Sequence, residues 1–476
     1  MGGSFFQSLV EAGYPEIGQL YPVNPKVAEI DGVRCYPSLL DTPDPVDHVI
    51  SQVPASAVPQ LVEQCITKGV RSIHFFTAGF SETGDEAMAA AEREMIAKLR
   101  RAGIRVIGPN CMGLYVPSSR LAFMNGFSME PGKVLLLSQS GANAGEIVGD
   151  LTSRGVRFSK AISYGNGADL RAHDFLDYAA NDPETEVVAA YIEGVQDGRA
   201  FFDALKRCAL VKRTIVLKGG LTQSGSRAAH SHTGSLAGSS EIFDAVCRQS
   251  GAVRAETMEE LLDLVVAAST NVCHVTGKGV ALIGGGGGGF AVLSADAIDR
   301  EGLSVPRMPA PAVARMREFI PVAGSSVNNP IDAMPSEEHL EEMLRIVATA
   351  EGIDVVLMSP MSGRPRGGAA AAQQMAAAQA HAADQPLSDE AAKAMAAAAK
   401  QAALQMRKLQ EETGVPFVGI QRGGRMARMM GMSSDTFSQT AYEEGIGAFP
   451  SVTRAARTIA QVLKWRAYRE GMPEIL

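Results

Sequence analysis

From residue 19 onward, short runs of apolar and β-branched residues alternate with longer stretches in which apolar positions recur at helical spacing. In the first part of the chain the apolar runs lie at 19–23, 48–53, 72–77 and 105–107, and the helical stretches at 57–68 and 85–102. Strands that are apolar throughout, rather than at alternate residues, are buried on both faces. When amphipathic helices join such strands, the strands run parallel. The pattern therefore predicts a βαβ block ending near residue 120.

A second block opens at Gly132, with a buried strand at 133–137, the segment Ser138-Gln139-Ser140-Gly141, and a helix running towards Leu151. Strands follow at 158–163, 187–192 and 214–218, and a helix over 258–268 closes the block. A third block begins with a strand at 279–283, a glycine run at 284–289 and a helix through Ile298. Its later strands lie at 355–359 and 417–420, and an amphipathic helix over 452–466 ends it. Residues 367–405 break the rhythm, being mostly Ala, Gln and Met. These are strong helix formers, so two helices meeting at Pro386 are predicted. Ser388, followed by Asp389 and Glu390, reads as a helix start. The segment reads as an alanine-rich insertion, packed on the third block or projecting from it.

Composition narrows the function. The 476 residues exceed one ordinary core and predict several domains. Hydrophobic residues make up 46% and charged residues 20%, which is ordinary for a globular chain. A net charge of -8 with no cluster of Lys and Arg argues against nucleic-acid binding. No apolar run has membrane-spanning length, and no signal peptide opens the chain. The six cysteines form no C-x-x-C pair, so no metal site is expected and a reducing cytoplasm fits.

Three segments carry chemistry. The first is Ser231-His232-Thr233-Gly234-Ser235-Leu236-Ala237-Gly238-Ser239, which follows the predicted strand 214–218 and a loop with Gly219, Gly220 and Gly225. Small neighbours leave the His232 imidazole uncovered, as a nucleophile toward phosphorus requires. The ordinary alternative is a loop histidine bonded to a nearby carbonyl, and His230 is a neighbouring decoy. The second is Ser138-Gln139-Ser140-Gly141-Ala142-Asn143, a strand, a short turn and a helix start. Free N–H groups and the positive helix end make Ser140, Gly141, Ala142 and Asn143 a candidate phosphate cradle. The third is Tyr191-Ile192-Glu193-Gly194 at the end of a buried run. A carboxylate at the tip of a parallel strand faces the ligand crevice, so Glu193 could orient His232. Its ordinary alternative is a capping or salt-bridged glutamate. Further candidates at strand ends in the first block include Lys26, Val53, Pro54, Pro109 and Asn110. Cys111 reads as a small buried thiol in a tight turn rather than a nucleophile.

Val53-Pro54, Gly108-Pro109-Asn110-Cys111, Ser138-Gln139-Ser140-Gly141 and the long histidine segment, in that order, resemble the NDP-forming acyl-CoA synthetases. This superfamily includes ADP-forming acetyl-CoA synthetase and succinyl-CoA synthetase. The likeness runs over nearly the whole chain apart from the alanine-rich segment. It implies an α/β fold in which a Rossmann-like CoA-binding domain over 1–125, lacking its first strand, precedes two flavodoxin-like parallel-sheet ligase domains. These would occupy 130–272, with the phosphohistidine loop, and 276–476, with the insertion 367–405. It implies that phosphate attacks an acyl-CoA to give an acyl phosphate, that His232 takes the phosphoryl group, and that ADP or GDP then receives it. By the same resemblance, Glu193 supports the histidine and Ser140–Asn143 hold the phosphohistidine. Lys26, Val53, Pro54, Pro109 and Asn110 fall in the segments matching the CoA and acyl pocket.

The chain departs from the family pattern twice. No ATP-grasp module is visible, so a separate ATP-grasp β-type subunit is expected to hold ATP or ADP (or GTP or GDP) with Mg2+ in a hetero-oligomer. The family's first strand and Gly-x-Ser loop are also missing. The expectation is a natural chain that extends upstream, or weak CoA binding by this form. Two competing readings are a catalytically silent CoA-binding regulatory or scaffold protein of the same fold, and a CoA-dependent acyltransferase without phosphoryl chemistry.

Overall fold

A computed structural model describes residues 5–222, 224–225, 239–284, 288–333, 335–359, 389–421 and 434–469. The chain divides into two compact units, one formed chiefly by residues up to 152 and 157–261, the other by 153–156 and 262–470. Among the described residues no helix is long and apolar enough to cross a membrane.

The first unit begins with a helix at Phe5–Glu11 and a two-stranded antiparallel ribbon, β1 (Glu29–Ile30) and β2 (Val33–Arg34). The strand expected at 19–23 does not form. Only Val23 makes a bridge, to Tyr36. Pro22 and Pro25 flank it and cannot donate to a ladder, which limits pairing to a single rung. Three parallel strands follow, β3 (His48–Ser51), β4 (Ser72–Phe75) and β5 (Arg105–Ile107), side by side in chain order. Helices Val58–Lys68 and Glu86–Arg101 connect them, the second capped by the Asp85 carboxylate on the Ala87 and Met88 N–H groups. Ile73, Phe75, Val106 and Leu99 make the core here.

The second sheet of this unit has the order β11-β10-β9-β7-β8-β6. Its strands are β6 (Gly113–Tyr115), β7 (Val134–Ser138), β8 (Phe158–Ser163), β9 (Val187–Ile192), β10 (Arg213–Lys218) and β11 (Val253–Ala255). All pairings are parallel except that of β6, an antiparallel edge strand that the apolar pattern did not predict. Counted from β7, the five parallel strands have the flavodoxin order 2-1-3-4-5, so the chain reverses direction across the sheet between β7 and β9. Leu135, Leu137, Val188, Ala190 and Val216 are fully or nearly fully buried under helices Ala172–Asn181 and Gly198–Val211.

The second unit is built on four parallel strands, β12 (Val280–Ile283), β13 (Val355–Met358), β14 (Phe417–Ile420) and β15 (Ala448–Phe449). On the free side of β12, isolated parallel bridges from Ser304 to Gly279 and from Ile331 to Ile283 stand where a flavodoxin-like second strand would run. The alanine-rich segment is partly core. Helix Asp389–Thr413 buries Ala403, Met406 and Leu409 against this sheet, so its second half is a structural layer rather than an appendage. Residues 360–388, including Pro386 and Ser388, lie outside the described residues. The closing helix runs Val452–Arg469.

Candidate active site

The reversal point of the six-stranded sheet is where the predicted phosphate turn and the predicted carboxylate come together. β7 carries five buried residues and ends at Ser138, and helix Gly141–Ser153 starts three residues later. The turn is held from within, because the Ser138 hydroxyl donates to the Ser140 carbonyl at 2.6 Å. Ser140 then caps the helix, its Oγ accepting the Asn143 N–H at 3.3 Å. The N–H groups of Gly141 and Ala142 belong to the first turn, which has no intrahelical acceptor for them. Gly141 is required for close approach, since a Cβ there would sit 2.7 Å from Met112 Cγ. Ala142 is exposed, and Asn143 is half-buried.

Glu193 leaves the tip of β9 and is buried. Its Oε1 accepts the Tyr191 hydroxyl at 3.2 Å. Its backbone N–H and that of Gly194 both donate to Gln139 Oε1, at 2.8 and 3.0 Å. Below it, Lys218 at the end of β10 donates from Nζ to the Glu193 carbonyl at 2.6 Å and to the Gly219 carbonyl at 2.5 Å. Burial lowers the Lys218 pKa, against the pull of the Glu193 charge. Burial, the Glu193 charge and the Glu193 hydrogen bond push Tyr191 up to about 12. Burial, reinforced by Glu193, also raises the buried Tyr164.

Sequence reasoning did not identify Gln139, Tyr191 or Lys218 as organisers of this site. A usable signal existed for Lys218, because it ends an otherwise apolar strand. His232 and His230 fall in 226–238, outside the described residues. The loop leading toward them starts at Gly219 and Gly220, the latter with a φ of 74°.

The first-block candidates divide. Asn110, with a φ of 58°, donates its N–H to the Thr77 carbonyl at 3.0 Å, and the Thr77 hydroxyl donates to the Val53 carbonyl at 2.7 Å. Val53, Pro109 and Asn110 thus belong to one cluster of strand-end turns. Pro109 is buried, and its carbonyl accepts the Asn166 N–H at 3.0 Å. Pro54 is exposed beside Val53, whereas Lys26 sits on a separate exposed turn, its N–H on Asn24 Oδ1 at 2.9 Å. The 164–167 loop interlocks with the Pro109 turn. Gly165 has a φ of 53°, and any Cβ there would collide with the Pro109 and Asn110 carbonyls. Asn166 joins the same network, donating to Glu82 at 2.6 Å and Glu92 at 3.0 Å. Cys111 is buried with its thiol on the Phe75 carbonyl at 3.5 Å, and burial raises its pKa far above the ordinary thiol range. Among the described residues no group of three His, Cys, Asp or Glu side chains is arranged to hold a metal.

Comparison with known proteins agrees with this geometry. A family described as a CoA binding domain matches residues 2–117, and one described as a succinyl-CoA ligase like flavodoxin domain matches 131–268. The chain is 38% identical over 336 residues to the alpha subunit of an ADP-forming acetate–CoA ligase II from Pyrococcus furiosus, covering 71% of this chain and 72% of that one. It is 41% identical over 350 residues to an ADP-forming acetate–CoA ligase I from Archaeoglobus fulgidus. There the match covers 71% of this chain but 49% of the relative, so the chain spans about half the length of that relative. A solved acetyl-coenzyme A synthetase from Ca. Korarchaeum cryptofilum superposes with a TM-score of 0.74 at 27% identity, over 98% of this chain and 93% of that one.

Proposed function

The chain belongs to the NDP-forming acyl-CoA synthetases, and from that premise we propose that it is an alpha-type subunit interconverting acyl-CoA, NDP and phosphate with carboxylic acid, NTP and CoA. The observation that carries this reading is Gln139. It joins the phosphate turn at the end of β7 to the Glu193 backbone at the end of β9, across the reversal point of the sheet. This joins cradle and carboxylate at one crevice, to which we assign His232 as the nucleophile.

Each residue then has one task. The turn of Ser140, Gly141, Ala142 and Asn143 presents N–H groups and the positive helix end to the phosphoryl oxygens. The neutral His232 imidazole attacks phosphorus; its N–P bond forms as the P–O bond to the acyl oxygen breaks, and the acid leaves as carboxylate. Glu193 stabilises the cationic ring that results. Val53, Pro54, Pro109 and Asn110, with Lys26 as a mobile charge, are assigned to CoA and the acyl group. A separate ATP-grasp β-type subunit would supply the nucleotide and Mg2+ in a hetero-oligomer. We retain three domains, over 1–125, 130–272 and 276–476. The acid is a small carboxylic acid, and the six free, buried cysteines suit the cytoplasm.

Radiolabelled acetyl phosphate tests this without a partner. The chain should acquire acid-labile, base-stable phosphate, and His232→Asn should abolish it while His230→Ala labels normally. Label retained by His232→Asn, or mapped to His230, would overturn the assignment.

A further inference from the structure

Tyr191 projects from β9 two residues before Glu193, so both side chains leave the same face of the strand. Its hydroxyl donates to Glu193 Oε1 at 3.2 Å. A phenol has one proton to give, and here Glu193 takes it. Around neutral pH the phenol stays protonated, since burial and the Glu193 charge push it up to about 12.

The space around the hydroxyl is also controlled. A Cβ on Gly219, directly after β10, would sit 2.9 Å from the Tyr191 hydroxyl and 3.7 Å from Glu193 Cγ. Glycine at this position leaves room for the hydroxyl in its observed place. Two strand ends therefore meet at one phenolic oxygen: Glu193, just beyond β9, and Gly219, just beyond β10.

We infer that Tyr191 is a positioning residue for phosphoryl transfer, its hydroxyl holding the Glu193 carboxylate in a fixed orientation. This rests on the proposed phosphohistidine chemistry. A donor on Oε1 sets the plane of the carboxylate, and hence the direction in which Oε2 meets the imidazole. Loss of the hydroxyl leaves the carboxylate in place but free to turn.

Tyr191→Phe removes the oxygen and keeps the ring. Label uptake from acetyl phosphate should show a maximal rate lower by roughly tenfold to a hundredfold, as expected for reacting groups displaced by a fraction of an ångström to 1 Å. The acetyl phosphate concentration for half-maximal rate and the thermal midpoint should stay close to wild type. Gly219→Ala, which pushes the hydroxyl aside without removing it, should lower the rate in the same direction. The double variant Glu193→Gln with Tyr191→Phe should be no slower than the slower single variant, because the tyrosine acts through that one carboxylate. A purely structural role would instead move the thermal midpoint and give additive losses. Wild-type uptake by Tyr191→Phe, with His232→Asn inactive, overturns this inference alone. Uptake by His232→Asn, or none by the wild-type chain, overturns the parent reading and this inference with it.

Discussion

Gln139 continues the β7–β9 ladder after the strands themselves have ended, its side chain taking the Glu193 N–H at 2.8 Å. The last backbone pair of that ladder is Ser138 with Tyr191. One step on, the Gln139 N–H still reaches the Tyr191 carbonyl, but the turn into the helix carries the next backbone acceptor away. The side-chain amide supplies the missing acceptor and serves Gly194 as well. A backbone that must bend to make an anion turn is thus kept in register with the strand that bears the carboxylate.

Gln139→Leu should therefore destabilise the chain. It leaves the Glu193 and Gly194 N–H groups without that acceptor in a buried place, at a cost of about 1–3 kcal/mol. The urea midpoint should fall, and label uptake should slow because Glu193 is no longer anchored. An unchanged midpoint together with normal uptake would show that the clamp contributes nothing.

Glu193→Gln separates charge from shape. The amide oxygen can still accept from Tyr191, so the fold should hold, with a thermal midpoint near wild type. What disappears is the negative charge that would balance the imidazolium. Single-turnover label uptake should slow by a factor equivalent to about 2–4 kcal/mol of barrier, as for other electrostatic stabilisers. Uptake at the wild-type rate would assign Glu193 to structure.

Continuous apolar runs were legible because a strand buried on both faces has no polar residue to interrupt it. Val187–Ile192 is found where the pattern put it. The Ser140–Asn143 turn was legible for a related reason, small residues between a strand and a helix being an unusual local composition. Gln139 was not legible as an organiser. Its partners are 54 and 55 residues away, and nothing in local spacing marks a glutamine as their acceptor. Tyr191 read only as a strand residue, because what surrounds its hydroxyl depends on how Glu193 and Gly219 leave the ends of two adjacent strands. β6 escaped because Gly113–Tyr115 is three residues long and pairs antiparallel at an edge. The alanine-rich stretch read as an insertion because small residues bury little area each. Ala403 is nonetheless fully buried, and just past the stretch Met406 and Leu409 continue the buried face of the same helix.

Cys111 should be chemically quiet. Its thiol is buried, bonded to the Phe75 carbonyl and raised far out of the ordinary range by burial, so the reactive thiolate is scarce. Iodoacetamide at neutral pH should leave it unmodified in the folded chain, as read by peptide mass spectrometry, and Cys111→Ala should take label normally. Rapid alkylation at Cys111 with loss of label would restore a nucleophilic role.

Asp169 predicts how the first unit responds to acid. Its carboxylate is buried and accepts from Arg105 Nε at 3.0 Å, from the Val106 N–H at 2.8 Å and from Arg100. Burial alone would raise its pKa. The Arg105, Val106 and Arg100 hydrogen bonds outweigh burial and hold it below the ordinary aspartate range. A carboxyl depressed in the folded state binds its proton more readily when unfolded. Its stabilisation is therefore fully present above the unfolded value of about 3.9 and is lost as pH falls through the lower folded value. At neutral pH Asp169→Asn should cost about 1–3 kcal/mol, since it removes the charged acceptor that two half-exposed arginines share. Other carboxylates titrate in the same range, so the informative quantity is the difference in urea midpoint between wild type and variant. That difference should be constant from pH 7 to about 5 and shrink below about 4. A gap that stays constant down to the lowest pH at which the chain remains folded would mean that the Asp169 charge does not hold this junction together.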